Sequence, residues 1–365
     1  MPSRIPVSVL TGFLGAGKTT LLNRLLRLPE MSDTAVLINE FGEVGLDHLL
    51  VERLDDETVL LNAGCLCCTV RGDLVHALEG LARRVADGQK VARVIVETTG
   101  LADPAPVLQT LMAEPGVLRA FRLDGVLTLV DAVNGAATLD AHPEAVKQVA
   151  MADRIVVSKT DLAAPEALVA LERRLQGLNP GAALRRVMRG EAGCDILASA
   201  GPYDPSAKAP EVAAWLDAEA WAKAGDHGHA PGHDHAHGHH HGHHAHAHDP
   251  NRHDAHIQAF CLTYDAPLSL PGLASWLEMM VATRGAALLR VKCLLNLAGE
   301  TQPVVLHAVQ HVFHEPTRLA AWPPGHDRRS RLVFIVRDLP RQAVEEGLNA
   351  FLAAEPTTLQ GAETP

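Results

Sequence analysis

Along residues 5–200, short apolar runs alternate with longer amphipathic stretches; the runs are IPVSVL, TAVLIN, TVLLN, ARVIVE, DGVLTLVDA and DRIVVSKTD. Apolar runs of this length read as buried strands, and amphipathic connections between them read as helices, expected from about Lys18 and over about 73–86. Strands that alternate with helices assemble into a mostly parallel sheet covered on both faces, so the first 201 residues are expected to form an α/β domain. The pattern breaks at Pro202. From there the chain is rich in Pro, Ala and Gly, and His227 to His256 holds 14 of the 21 histidines. Such a segment has almost nothing to bury against its ordering entropy, so residues 202–255 are expected to be a flexible His-rich linker. Periodicity resumes with IQAFCLTY, an amphipathic stretch from Leu270 to Arg284, LLRVKCLLNLAG, PVVLHAVQHVFHE, RRSRLVFIVRDL and a last helix near 340–354. Residues 256–365 therefore read as a small α+β domain with an antiparallel sheet.

A length of 365 residues fits this division into two folded units. The net charge of -11, with 43 acidic against 32 basic side chains and 4% aromatics, leaves no phosphate-neutralising or base-stacking surface. Nucleic acid is not an expected partner. The N-terminus MPSRIPVSVLTGFLGAG lacks the long apolar core of a secretion signal, and no run approaches a membrane span, so no membrane partner and a soluble, cytoplasmic protein are expected. Thiols stay reduced in that compartment, which makes clustered cysteines metal-binding or reactive and not a disulfide framework.

Gly12-Phe13-Leu14-Gly15-Ala16-Gly17-Lys18-Thr19 satisfies G-x-x-x-x-G-K-[ST] and lies between an expected strand and helix, where a P-loop must lie. Gly12, Gly15 and Gly17 let the loop wrap around phosphates, and the amides from Ala16 to Thr20 open the helix with positive potential. Lys18 then reaches the β/γ oxygens, and Thr19 ligates Mg2+. Val94 to Gly100 is an apolar strand ending in a carboxylate, with a glycine three residues on. It fits a second phosphate-side element, with Glu97 near the Mg2+ waters and the Gly100 amide near the γ-phosphate.

Ser158-Lys159-Thr160-Asp161 follows the strand DRIVV and resembles the N-K-x-D element of GTP-binding domains. Asp161 is expected to accept both N–H donors of the guanine edge, while the Lys159 stem lies along the base. Ser158 replaces the usual Asn, and weaker loop-fixing hydrogen bonds are expected from it.

Cys65-Leu66-Cys67-Cys68 follows the strand TVLLN and precedes a helix, at the same sheet edge as the P-loop. Thiolates suit Zn2+ and Cu(I) and, less strongly, Co2+ or Ni2+. Three sulfurs leave a tetrahedral site one ligand short, and an incomplete site keeps a position open for an incoming donor. In Asn39 to Asp47, NEFGEVGLD, any of Glu40, Glu43 or Asp47 could supply a fourth ligand or contact Mg2+. The His tract is expected to capture several ions weakly. Cys194, Cys261 and Cys293 read as small core residues, and His307, His311 and His314 as half-buried histidines of one strand.

Taken together, GFLGAGKTT, NEFGEVGLD, GCLCC, VIVETTG, SKTD, the histidine tract and the small C-terminal domain resemble the CobW-like GTPase metallochaperones over nearly the whole chain. The resemblance implies a P-loop GTPase that uses GTP and Mg2+ and delivers a metal, zinc foremost and cobalt next, to a metal-requiring target protein, with dimerisation possible. It further implies that Lys18 and Thr19 hold phosphate and Mg2+, that Cys65, Cys67 and Cys68 hold the transferred metal, and that Asp161 reads guanine. Some relatives carry a metal-binding Glu two residues before the Glu of N-E-F-G; Ile38 stands there in this chain, so Glu43 becomes the expected fourth ligand. The competing readings are a passive metal buffer with a non-catalytic nucleotide site, and an ATP-dependent small-molecule kinase, against which Asp161 argues.

Overall fold

The computed structural model describes residues 4–41, 58–63, 68–197, 256–322 and 326–354, with the backbone alone for those between 39 and 71. The expected apolar runs are strands: β1 (Ile5–Gly12), β2 (Thr34–Phe41), β3 (Thr58–Ala63), β4 (Arg93–Glu97), β5 (Phe121–Asp131) and β6 (Arg154–Ser158). A seventh, β7 (Ala183–Arg186), is an edge strand whose exposed, polar sequence ALRR carries no apolar signal. The order is β3-β2-β4-β1-β5-β6-β7 and every pairing is parallel. Parallel neighbours need crossovers, supplied by α1 (Lys18–Leu26), α2 (Cys68–Ala86), α3 (Ala105–Ala113), α4 (Pro115–Leu118), α5 (Gly135–Ala141), α6 (Pro143–Ala150) and α7 (Pro165–Leu178).

Side chains alternate across a strand, and β1 shows the consequence. Val7 and Val9 pack with Leu74 and Leu108 on one face, while Leu10 packs with Leu21 and Leu25 on the other. Both faces are buried, which is why the run reads as continuously apolar. All the strands end on one edge, the edge at which open α/β sheets place their ligand-binding turns.

The second sheet is antiparallel and contains β8 (Ile257–Tyr264), β9 (Leu288–Leu295), β10 (Val304–Val309), β11 (Val312–Phe313), β12 (Thr317–Arg318) and β13 (Ser330–Arg337). Its path is β11-β10-β9-β13-β8, with β12 also on β10. One face carries Val291, Cys293, Leu332 and Phe334 beneath α8 (Leu270–Arg284) and α9 (Arg341–Ala353), with Trp276 set edge-on to Phe334 at 5.9 Å. The opposite face carries Leu294, Val305, Val309, Val333 and Ile335, which join one apolar cluster with Leu108, Leu111 and Met151 of the first domain. The small domain therefore lies against the α/β domain, and its sheet is covered twice.

That double cover corrects the reading of the histidines. His307 and His314 are buried, with relative exposures of 3% and 7%. His311 is exposed, because Gln310 adopts φ +53° and the chain turns there between β10 and β11. Of the solitary cysteines, Cys293 is buried, and Cys194 and Cys261 are half-buried. The linker 202–255 lies outside the described residues, and no helix among those described is long and apolar enough to cross a membrane.

Charge is also buried at the domain contact. Asp153 precedes β6 with its side chain 1% exposed, and it receives Arg290 Nη2 at 2.8 Å and Lys292 Nζ at 2.6 Å, both from β9. Its second oxygen accepts the Val126 N–H at 3.0 Å.

Candidate functional site

The loop between β1 and α1 takes the shape its glycines allow. Gly17 is the N-cap of α1 at φ +95°, a left-handed conformation open to glycine at little cost. The amides of the first helical turn then point into the concavity, as an anion requires. Lys18 folds back over the loop, its Nζ donating to the carbonyls of Gly12 at 2.8 Å and Phe13 at 3.3 Å. The ammonium is thereby held over the loop, where a phosphate would meet it.

Beside it, the Thr19 hydroxyl donates to Glu97 Oε1 at 3.0 Å across 78 residues of sequence. Glu97 is 5% exposed at the end of β4. A hydroxyl and a carboxylate oxygen in contact form the hard donor set that Mg2+ prefers, so these two residues fit that ion. At the next turn Thr98 donates to the Thr11 hydroxyl at 2.8 Å, and Gly100 approaches the P-loop so closely that a Cβ would lie 2.6 Å from Leu14 N. The two phosphate-side elements thus meet at backbone distance.

On the other side of α1, a cavity of about 170 Å³ is lined by Gly17, Thr20, Ser158, Asp161, Arg189 and Gly190, among others. Ser158 is not a weak substitute for Asn here: its hydroxyl donates to the Ala16 carbonyl at 2.6 Å and ties the base loop directly to the P-loop. The Lys159 backbone is left-handed at φ +56°, and its Nζ contacts Asp131 Oδ2 at 2.6 Å. Burial raises the Asp131 pKa, but hydrogen bonds from Lys159, from the Asn134 side chain and from the Val133 and Asn134 N–H groups outweigh it and hold the carboxyl low. Lys159 is therefore steered by an ionised partner. Arg189 Nε stands 3.8 Å from Asp161 Oδ2. Asp131 and Arg189–Gly190 escape sequence reasoning, since Asp131 closes the apolar strand β5 and Arg189–Gly190 sit in a turn, neither with a motif of its own.

A domain profile described as "CobW/HypB/UreG, nucleotide-binding domain" matches residues 6–186, and one for the "Cobalamin synthesis protein cobW C-terminal domain" matches residues 257–352. The chain belongs to the CobW family. Its N-terminal domain is accordingly a P-loop GTPase domain.

Among relatives of this CobW-family protein, the zinc chaperone YjiA of Escherichia coli is 29% identical over 344 residues, which span 93% of this chain and 96% of that one. The zinc-regulated GTPase metalloprotein activator 1 of Schizosaccharomyces pombe is 37% identical over 182 residues, spanning 48% of this chain and 44% of the relative. A crystal structure of Zn(II)-bound YjiA GTPase from E. coli superposes with a TM-score of 0.65 at 26% identity, covering 96% of this chain and 99% of the other.

The described structure brings together Gly12, Gly15, Ala16, Gly17, Lys18, Thr19, Thr20, Glu97 and Gly100 at one sheet edge, with Ser158, Lys159 and Asp161 beside them. Cys65, Cys67 and Glu43 lie outside the described residues, and Cys68 is described only as the first backbone position of α2. Ile38 is buried in the core at 4% exposure, so its position supplies packing. Among the described residues no group of three or more His, Cys, Asp or Glu side chains is placed to hold a metal ion.

Proposed function

We propose that this protein hydrolyses GTP at the P-loop edge and couples the reaction to holding and handing over a transition metal, zinc foremost and cobalt next. The observation that carries the nucleotide half is the convergence of Lys18, the Thr19–Glu97 pair and the Asp161 cavity on one continuous edge. Lys18 binds the β/γ oxygens, the Gly100 amide faces the γ-phosphate, and Asp161 accepts the guanine donors, a selection adenine cannot satisfy. Mg2+, when bound to Thr19 and near Glu97, neutralises charge developing on the phosphates.

The metal half is supported by the thiols and by the zinc chaperone relatives. Cys65, Cys67 and Cys68, with Glu43 as the fourth ligand, receive the ion, and a target protein that needs the metal takes it. Cys68 opens α2, and the strand before it, β3, ends on the same sheet edge as the P-loop strand β1, with β2 and β4 between them.

Equilibrium zinc titration of the full chain, loaded in turn with a non-hydrolysable GTP analogue and with GDP, tests the reading. Tighter zinc binding in the triphosphate state is expected. Equal dissociation constants would leave a GTPase that binds metal without coupling, and turnover indifferent to Lys18→Ala would remove the GTPase half.

A further inference from the structure

The loop that leaves β4 carries Gly100, and it is held from two sides. The P-loop meets it on one side, at the Leu14 contact described above. On the other side stands Gln148 of α6, which is 1% exposed. Its amide Nε2 donates to the Gly100 carbonyl at 3.2 Å and to the Ala102 carbonyl at 3.0 Å. A primary amide has two N–H donors, and here both are directed at one loop. The Thr99 carbonyl accepts the Ala102 N–H at 3.2 Å, so across a trans peptide the Gly100 N–H points the opposite way.

Gln148 is itself held in place. The Thr128 hydroxyl of β5 donates to its main-chain carbonyl at 2.8 Å, and Asn179 Nδ2 donates to the main-chain carbonyls of Val149, Ala150 and Ala152 at 2.9, 3.2 and 2.9 Å. The neighbouring Lys147 bonds Asp103 of the same loop at 2.8 Å. A rigid helix therefore offers two fixed donors to a loop that carries the group for the γ-phosphate.

We infer that Gln148 is a positioning residue for GTP hydrolysis, setting the Gly100 loop in the register from which its amide meets the γ-phosphate. The inference rests on the proposed role of Gly100. Gln148 acts only through the loop, so its loss changes what the protein does with a third phosphate and leaves the diphosphate and guanine contacts alone.

The test uses the full chain and three readouts: GTP turnover, affinity for a non-hydrolysable GTP analogue, and affinity for GDP. Gln148→Ala should lower kcat by about 10- to 100-fold, the range for misplacing a reacting group by about an ångström. The analogue's affinity should fall with it, and GDP affinity should stay within about twofold, because no diphosphate contact is touched. Lys147→Met, which removes only a half-exposed ion pair, should shift the same quantities less and in the same direction. If Gln148→Ala does not fold, Gln148→Met, which keeps the length and loses the donors, and Lys147→Met carry the test. A folded Gln148 variant with wild-type kcat and an unchanged analogue-to-GDP affinity ratio overturns the inference; so does an equal loss of both affinities. Gly100→Ala separates the two levels. If it keeps the ratio, the role of Gly100 is wrong; if it loses the ratio while Gln148→Ala keeps it, only the role of Gln148 is wrong.

Discussion

Replacing Asp153 by Ala should destabilise the protein about as much as truncating a large side chain in the apolar clusters around it. The carboxylate is 1% exposed and answers two cations, Arg290 and Lys292, which are 1% and 7% exposed. Two cations therefore converge on one carboxylate in the interior. Arg290 and Lys292 hold the Asp153 carboxyl below its ordinary range against the opposing effect of burial. Burial, then Arg290, pushes Lys292 down despite the carboxylate beside it. Removing one partner of a buried pair costs about 3–5 kcal/mol, because the remaining charge stays desolvated. The Val126 N–H loses its acceptor as well, which adds about 1–3 kcal/mol where water cannot replace it. Lys292 limits the total, since its lowered pKa lets it shed its proton at about 1.4 kcal/mol per pH unit. We expect a net loss of about 4 kcal/mol, the middle of the buried-pair range. At about 2–4 °C per kcal/mol for large domains, the unfolding midpoint should fall by about 8–16 °C.

The assay is denaturant unfolding of Asp153→Ala, Lys292→Met and the double variant, followed by calorimetry. The double variant should lose well under the sum of the two single losses, because methionine removes one of the cations that the missing carboxylate leaves buried. A loss under about 1 kcal/mol for Asp153→Ala, the size of an exposed ion pair, would refute the argument. Strict additivity would show that Asp153 and Lys292 do not interact.

Four further outcomes are expected. Lys18→Ala should abolish GTP turnover, measured as phosphate release, because the cation over the P-loop is lost. Asp161→Asn should weaken GTP far more than ATP in competition binding, and an equal effect on both would misplace the base site. Deleting residues 227–248 should lower the number of zinc ions bound and spare the tightest site, as counted by mass spectrometry. Burial, then Arg290 and Lys292, hold His307 well below the ordinary imidazole range, and burial lowers His314 as well. The unfolded chain therefore binds protons that the folded one refuses: stability is complete above about pH 6.5 and is lost below it, at up to about 1.4 kcal/mol per pH unit for each histidine. Urea midpoints from about pH 7.5 to 5.5 should show that slope, and it should shrink in His307→Asn.

The parallel sheet was legible because buried strands on both sides of a P-loop leave continuous apolar runs, and the phosphate-side residues were legible because phosphate chemistry demands them at fixed spacing. Other features depend on distant partners. In LLRVKCLL, Arg290 and Lys292 alternate like the outer face of an ordinary antiparallel strand, and only Asp153 on another domain explains why they are buried. Ser158 read as a weaker Asn because its acceptor, the Ala16 carbonyl, is 142 residues away. Gln148 has no motif at all; its meaning lies in two carbonyls that α6 happens to face. Helices α3 to α6 were expected only as unnamed connections, since short and nearly uniformly apolar segments such as APVLQTLMA have no sharp period to read.

The two domains are joined where the nucleotide strands begin, and this bears on what the second domain does for the first. Asp153 lies one residue before β6, and Ser158, at the strand's other end, is bonded to the P-loop. Helix α6, which carries Gln148, ends in the same turn that presents Asp153. Cations from β9 thus fix the common root of two arms, one leading along β6 to the base loop and the other back along α6 to the Gly100 loop. A P-loop domain without such a neighbour would present the same turn to water, where an aspartate needs no partner. Here it is buried against Arg290 and Lys292, so the domain contact holds the root of both arms. The small domain is therefore best understood as part of the framework of the nucleotide site, and a change at that contact should register first in the affinity ratio between tri- and diphosphate.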